Sequence, residues 1–311
     1  MLALLTGLWA GLARLGWDVP LPRPGFSSLH GPLMVSGFLG TLISLERAVA
    51  LGRPWAYAAP LLTGLGGVSL IVGAPLLVAQ WLMLAGSLVL VAIFAAIIRR
   101  HPALYTFTMG GGSLVWALGN LLWCLGWPVF LVVFWWAAFL VVTIAGERLE
   151  LARLQQVTGA AQATFLLLLG ILLTGLLLLG WSFDGGVRLF GLGLAGLALW
   201  LGRHDIARRT VKQAGLTRFI AICLLTGYVW LGISGLSAMW FGGVPVGPQY
   251  DATLHAFFLG FVFAMIFAHA PIIFPAVLGA RMTYRPLFYA HVTLLQVTLL
   301  ARVIGDVSGW G

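Results

Sequence analysis

The six histidines, His30, His101, His204, His255, His269 and His291, are the residues of this chain best suited to chemistry. His101 and His204 stand beside arginines in short polar stretches, where a solvated loop residue is the ordinary reading. The other four lie inside apolar runs. An ionisable side chain is costly there, so it normally has a partner or a task. His30 lies a few residues inside one end of an apolar segment over 26–46, and His255 a few residues inside one end of a segment over 250–276. Two imidazoles at one depth on two helices can clamp a metal ion or a haem iron from both sides. Gly37, Thr41 and Ser44 follow His30 at offsets of 7, 11 and 14 and share its helical face. A face that small suits a flat macrocycle. It equally suits the close approach of two helices, for which membrane proteins use small residues.

His269 comes 14 residues after His255, so the two share a face, roughly 21 Å apart at 1.5 Å per residue. His291 lies twelve residues after Gly279 and His269 ten before it, which lets the two meet at similar depth. Two readings stay open for this pair: a second metal or haem site, or a polar contact between neighbouring helices.

The elements that must position these residues follow from composition. Hydrophobic residues make up 61% of the 311 and charged residues only 8%, against about 25% charged in a soluble domain. Apolar runs long enough to span a bilayer recur along the chain. They show no period-two alternation, which excludes a barrel and leaves helices. The expected architecture is all-α, a polytopic transmembrane bundle of about eleven helices. They fall at 2–16, 26–46, 54–73, 76–98, 102–124, 128–152, 158–181, 186–202, 217–240, 250–276 and 284–304. The count also fits a twelve-helix fold lacking its last helix. No linker, low-complexity segment or repeat interrupts residues 1–311, which predicts a single transmembrane domain. The first 17 residues are apolar without a basic start, which argues against a cleaved signal peptide.

The net charge of +9 does not point to nucleic acid, because the basic residues sit in short loops and alternate between sides. Arg47, Arg53, Arg99, Arg100, Arg148, Arg153, Arg203, Arg208, Arg209, Lys212, Arg218, Arg281 and Arg285 fall on one side. Arg14, Arg23, Arg188 and Arg302 fall on the other. By the positive-inside rule the first set is cytoplasmic. The N-terminus is then cytoplasmic, and His30 and His255 lie near the outer face. A bacterial cytoplasmic membrane is the expected location and the lipid bilayer the expected partner. Glu46, Glu147, Glu150 and Asp251 lie near helix ends, and Glu147 with Arg148 or Glu150 with Arg153 reads as interfacial ion pairing. Cys124 and Cys223 are isolated in apolar runs, and no C-x-x-C-H offers covalent haem attachment.

Two motifs carry a resemblance. His30-Gly31-Pro32-Leu33-Met34 resembles the H-G-x-x-M of helix II in heme-copper oxidase subunit I, whose histidine binds the low-spin haem. After His255 come Gly260, Ala264, Phe274-Pro275 and Gly279, similar to the pattern after the low-spin haem histidine of that family's helix X. His291 falls close to the place of a histidine at the start of the family's helix XI. The chain is also similar to the NnrS family of haem-containing membrane proteins linked to nitric oxide metabolism. The shared features are the helix-2 segment and Leu254-His255-Ala256. These resemblances imply one haem b on the outer side with His30 and His255 as axial ligands. A second haem or metal at His269 and His291 stays open.

The oxidases carry a second haem histidine where Thr253 stands, and a copper histidine where Trp127 stands. The segment over 158–181, in the place of their paired copper histidines, has no histidine. Copper and oxygen reduction are therefore not expected. The implied function is electron transfer or nitric oxide-related metabolism, with a redox partner. Arg302 shares a face with His291, eleven residues before it. If that face meets the helix of His255, Arg302 can pair with a haem propionate; otherwise it is an arginine snorkelling at a helix end. The rival functional class is a cofactor-free transporter or channel that uses the histidines as a proton or ion path. A third is a structural subunit of a larger complex.

Overall fold

The computed structural model describes residues 1–152, 158–279 and 283–309. Arg153 and Arg281 of the basic set, and the terminal Trp310-Gly311, lie outside the described residues. Those residues form twelve helices and no strand. They are α1 (Leu2–Arg14), α2 (Phe26–Leu51), α3 (Pro54–Val72), α4 (Leu76–Arg100), α5 (Leu104–Cys124) and α6 (Val129–Ala152). They continue as α7 (Gly159–Leu178), α8 (Phe183–His204), α9 (Ala207–Thr210), α10 (Gly215–Phe241), α11 (Pro248–Pro275) and α12 (Phe288–Ser308). The chain is an all-α, polytopic membrane protein.

Among the described residues, nine of these helices are long and apolar enough to cross a bilayer, fewer than the eleven expected from hydropathy. The two shortfalls have separate causes. α1 has 13 residues, about 20 Å of helix against a hydrocarbon core of about 30 Å. α5 has 21 residues, but Thr106, Thr108, Ser113, Asn120 and a run of three glycines dilute its apolar character. The short α9 was not expected. It opens where Asp205 Oδ1 accepts from the Ala207 N–H at 2.7 Å.

The chain gathers into two compact units, Met1–Thr143 and Ile144–Gly311. No linker marks the boundary, because it falls within α6.

In the first unit, α2 is not uniform. It opens as a 3-10 turn over Phe26–Leu29, is α-helical over His30–Pro32, π-helical over Leu33–Gly40 and α-helical again over Thr41–Leu51. Close packing accompanies the widened stretch. Gly37 lies against Gly67 of α3, with a Cβ at Gly37 only 3.5 Å from the Gly67 Cα. A Cβ at Gly40 would overlap the Trp116 ring, which is fully buried and stacked on Phe139 at 4.7 Å. A buried polar network ties the π-stretch to its neighbours. The Trp116 indole donates to Ser36 Oγ at 3.2 Å, and Ser36 donates to Asn120 Oδ1 at 3.2 Å. The Trp136 indole donates to the same oxygen at 3.0 Å, and Asn120 Nδ2 donates to the Met83 carbonyl at 3.3 Å. Every member thereby finds a partner away from water, the condition on which a buried network stabilises.

In the second unit, small residues bring helices together. A Cβ at Gly235 of α10 would lie 2.6 Å from the Ala195 nitrogen of α8, and one at Gly193 of α8 2.6 Å from Leu172 of α7. Such contacts are how membrane helices pack when lipid is as apolar as leucine.

Gly40→Ala is expected to lower stability by about 1–3 kcal/mol through overpacking against Trp116. Thermal unfolding in detergent reads this directly. A melt identical to wild type would show that the π-stretch has room to relax.

Candidate functional site

In the first unit, α1 holds His30. The ring rests on two glycines spaced four apart, Gly7 and Gly11. A Cβ at Gly11 would stand 2.9 Å from His30 Nδ1, and one at Gly7 2.8 Å from Met34 Sδ. The His30 and Met34 of the motif therefore pack into a groove that only glycine leaves open. Nδ1 of His30 donates to the Gly7 carbonyl at 2.8 Å. A neutral ring that donates through Nδ1 carries its lone pair on Nε2, the form that ligates metals. The three residues before Leu33, headed by His30, run directly into the π-stretch.

In the second unit, α11 repeats this order. It is α-helical over Pro248–His255, π-helical over Ala256–Val262 and α-helical again from Phe263. Gly260 in the π-stretch lies against the Trp230 ring, where any Cβ would clash. Trp230 packs with Ala252, Ala256, Leu299 and Val303, and its indole donates to Gln296 Oε1. Leu299 and Val303, four apart on α12, thus dock that helix on the His255 end of α11. The docking carries Arg302 to Asp251.

Around His255 the polar groups form a chain. Nδ1 of His255 lies 3.1 Å from Asp251 Oδ1 and 3.0 Å from the Asp251 main-chain oxygen. Arg302 donates to Asp251 Oδ2 through Nε at 2.8 Å and through a terminal nitrogen at 2.5 Å. Asp306 lies 3.9 Å from Arg302 Nε. Arg302 therefore does not stand alone at a helix end: its guanidinium grips a carboxylate that in turn faces His255. Asp251 is a site residue that sequence reasoning left as an ordinary helix-end acid. Its signal was present in the i, i+4 spacing to His255, which puts both side chains on one face.

His269 and His291 have different neighbours. Nδ1 of His269 donates to the Met265 carbonyl at 2.6 Å, and its Nε2 is 3.5 Å from an Arg148 nitrogen and 4.0 Å from a Glu147 carboxylate oxygen. His291 is exposed and lies edge-on to Phe267 at 4.8 Å, with Phe219 and Phe288 also around it. No group of three or more His, Cys, Asp or Glu among the described residues is arranged to hold a metal ion. A porphyrin brings four nitrogen donors of its own, so one or two histidines complete its iron.

A second polar cluster lies beside His269. Arg148, near the end of α6, is buried, and its Nε is 3.8 Å from Asp205 Oδ2. Tyr228 donates to the same Asp205 oxygen at 2.7 Å. Asp205 thus serves a guanidinium, a phenol and the first turn of α9 at once.

Residues 1–311 match a domain family of unknown function, DUF8744, along their whole length. The chain belongs to the DUF8744 family. No curated protein and no solved structure matches it. For this DUF8744 chain, residues and geometry are therefore the ground on which function is argued.

Asp205→Ala would strand the Arg148 charge and leave the Tyr228 hydroxyl without its acceptor. It is expected to cost about 3–5 kcal/mol, the scale of a broken buried pair. Tyr228→Phe removes one hydrogen bond and should cost about 1 kcal/mol. Denaturation in detergent micelles measures both. Equal small losses would mean that water reaches the cluster.

Proposed function

We propose that this chain is a membrane-integral b-type haem protein in which His30 and His255 each give Nε2 to haem iron. The observation that carries the reading is a recurrence. Each unit presents one histidine that leads into a π-helical stretch, with Nδ1 held by a carbonyl oxygen, Gly7 in one case and Asp251 in the other. π-Helical turns gather at functional sites because they are costly to keep otherwise. His204 and His269 also donate through Nδ1 to a carbonyl, but neither leads into such a stretch. The donors fit the group: a ligating histidine characteristically gives its other N–H to a carbonyl or carboxylate, which fixes tautomer and orientation.

The resemblance to heme-copper oxidase subunit I and to NnrS supports the same pair. A bound haem would supply a one-electron ferric–ferrous couple. Ligation by two histidines leaves no open iron position, which favours electron transfer with a redox partner over gas binding. Nitric oxide-related metabolism follows if one histidine yields its place. The distribution of arginines supports a cytoplasmic N-terminus, a haem toward the outer face and residence in a bacterial cytoplasmic membrane. The second reading is a cofactor-free transporter, favoured by the run from buried Tyr228, Asp205 and Arg148 to half-buried His269 and Glu147. Groups of this kind inside a membrane mark ion or proton routes.

Protein purified from haem-replete cells is expected to show a Soret band and sharp α and β bands on reduction. His255→Ala and His30→Ala should each abolish the low-spin spectrum. His269→Ala and His291→Ala should leave it, being about 21 Å along the helix from His255 in the first case. Elemental analysis should find iron without stoichiometric copper. A folded, colourless preparation that moves protons in vesicles would replace this reading with the transporter.

A further inference from the structure

The two histidines differ in what holds them. The Gly7 carbonyl that holds His30 is neutral, whereas His255 faces a carboxylate as well as a carbonyl, both from Asp251. That carboxylate is itself gripped by two nitrogens of Arg302 at 2.8 and 2.5 Å. Two charge-assisted contacts onto one carboxylate oxygen hold that carboxylate in place. The packing of Leu299 and Val303 against Ala252 and Ala256 fixes the two helices that carry the grip. Among the described residues, the charged and titratable groups that face His255 include Asp251 on its own helix, and Arg302 and Asp306 from α12.

We propose that Asp251 is the positioning residue of His255, and that Arg302 sets its strength. The inference rests on the haem reading given above. A carboxylate that accepts the Nδ1 proton draws negative charge onto the ring and makes Nε2 a stronger donor to iron. A stronger donor stabilises the ferric state and lowers the midpoint potential. Arg302 opposes this by sharing the same carboxylate. Its two contacts on Oδ2 leave Oδ1 toward the imidazole, so geometry and charge are set by one pair. This role differs from a propionate partner, because the guanidinium acts through Asp251 on the ligand.

The sign of two substitutions tests it. In the full-length protein loaded with haem, Asp251→Asn is expected to raise the midpoint potential, since it removes the negative charge behind the ring. Arg302→Gln is expected to lower it, since the carboxylate is then no longer shared. In a His30→Ala background with five-coordinate ferrous iron, Asp251→Asn should also shift the iron–histidine stretch to lower frequency in resonance Raman. Opposite shifts support the proposal. Shifts in one direction, or none in either variant with haem retained, overturn it. Should Asp251→Asn fail to accumulate, Arg302→Gln in the His30→Ala background decides: a rise in the iron–histidine stretch supports the proposal, and an unchanged stretch overturns it. Wild type that binds no haem defeats the functional reading instead. The positioning role is then read in apoprotein by nitrogen NMR, where Asp251→Leu should increase the Nε2–H tautomer of His255. An unchanged tautomer balance would defeat the role itself.

Discussion

A polar group inside a lipid bilayer has no water to turn to, and each must find its partner within the protein. This constraint organises both units. The Trp116, Ser36, Asn120 and Trp136 network satisfies every polar member it brings into the first unit. Asp205 accepts from Tyr228 and from the Ala207 N–H, and stands by Arg148. The histidines obey the same rule, and obeying it has a chemical consequence. An imidazole that satisfies Nδ1 with an acceptor is fixed as one tautomer, with its basic nitrogen at the far end. The need to bury a polar ring and the preparation of a ligand are thus one event.

Small residues make those partnerships reachable. Gly7 and Gly11 let α1 close over His30, and Gly260 lets α11 close onto Trp230. In a water-soluble core, large apolar side chains would fill such interfaces. In a membrane the apolar gain is absent, so close approach and hydrogen bonds carry more of the association. The two π-stretches fit this pattern. Each lies where a histidine, a glycine and a tryptophan crowd one length of helix, and the widened turn re-aims the residues around it.

Much of this was legible in the sequence because hydropathy and helix length are local properties. The helices fall where the apolar runs stand, and α2, α4, α8 and α10 differ from the expected ranges mainly at their ends. The exceptions are instructive. α1 reads as a span by hydropathy, yet 13 residues are too few to cross alone. Arg148 reads as a partner of Glu147, yet it also meets Asp205, brought to it by elements that come together only in the fold. Asp251 reads as a helix-end acid because its importance depends on α12 arriving beside it. Sequence periodicity shows which residues share a face. It does not show which face of another helix will meet them, and that is the information Asp251, Arg302 and Asp205 require.

The difference between the two histidines follows from the same geometry and bears on how a haem would be used. His30 donates to the Gly7 carbonyl, whereas His255 faces both the carbonyl and the carboxylate of Asp251, and Arg302 of α12 grips that carboxylate. A donor backed by a neutral acceptor is the weaker of two otherwise equal ligands. In the proposed haem protein, the ring backed by the Asp251 carboxylate would be a strong donor to iron. The same two side chains that satisfy each other's charge, Asp251 and Arg302, thus also govern how much negative charge reaches the His255 ring.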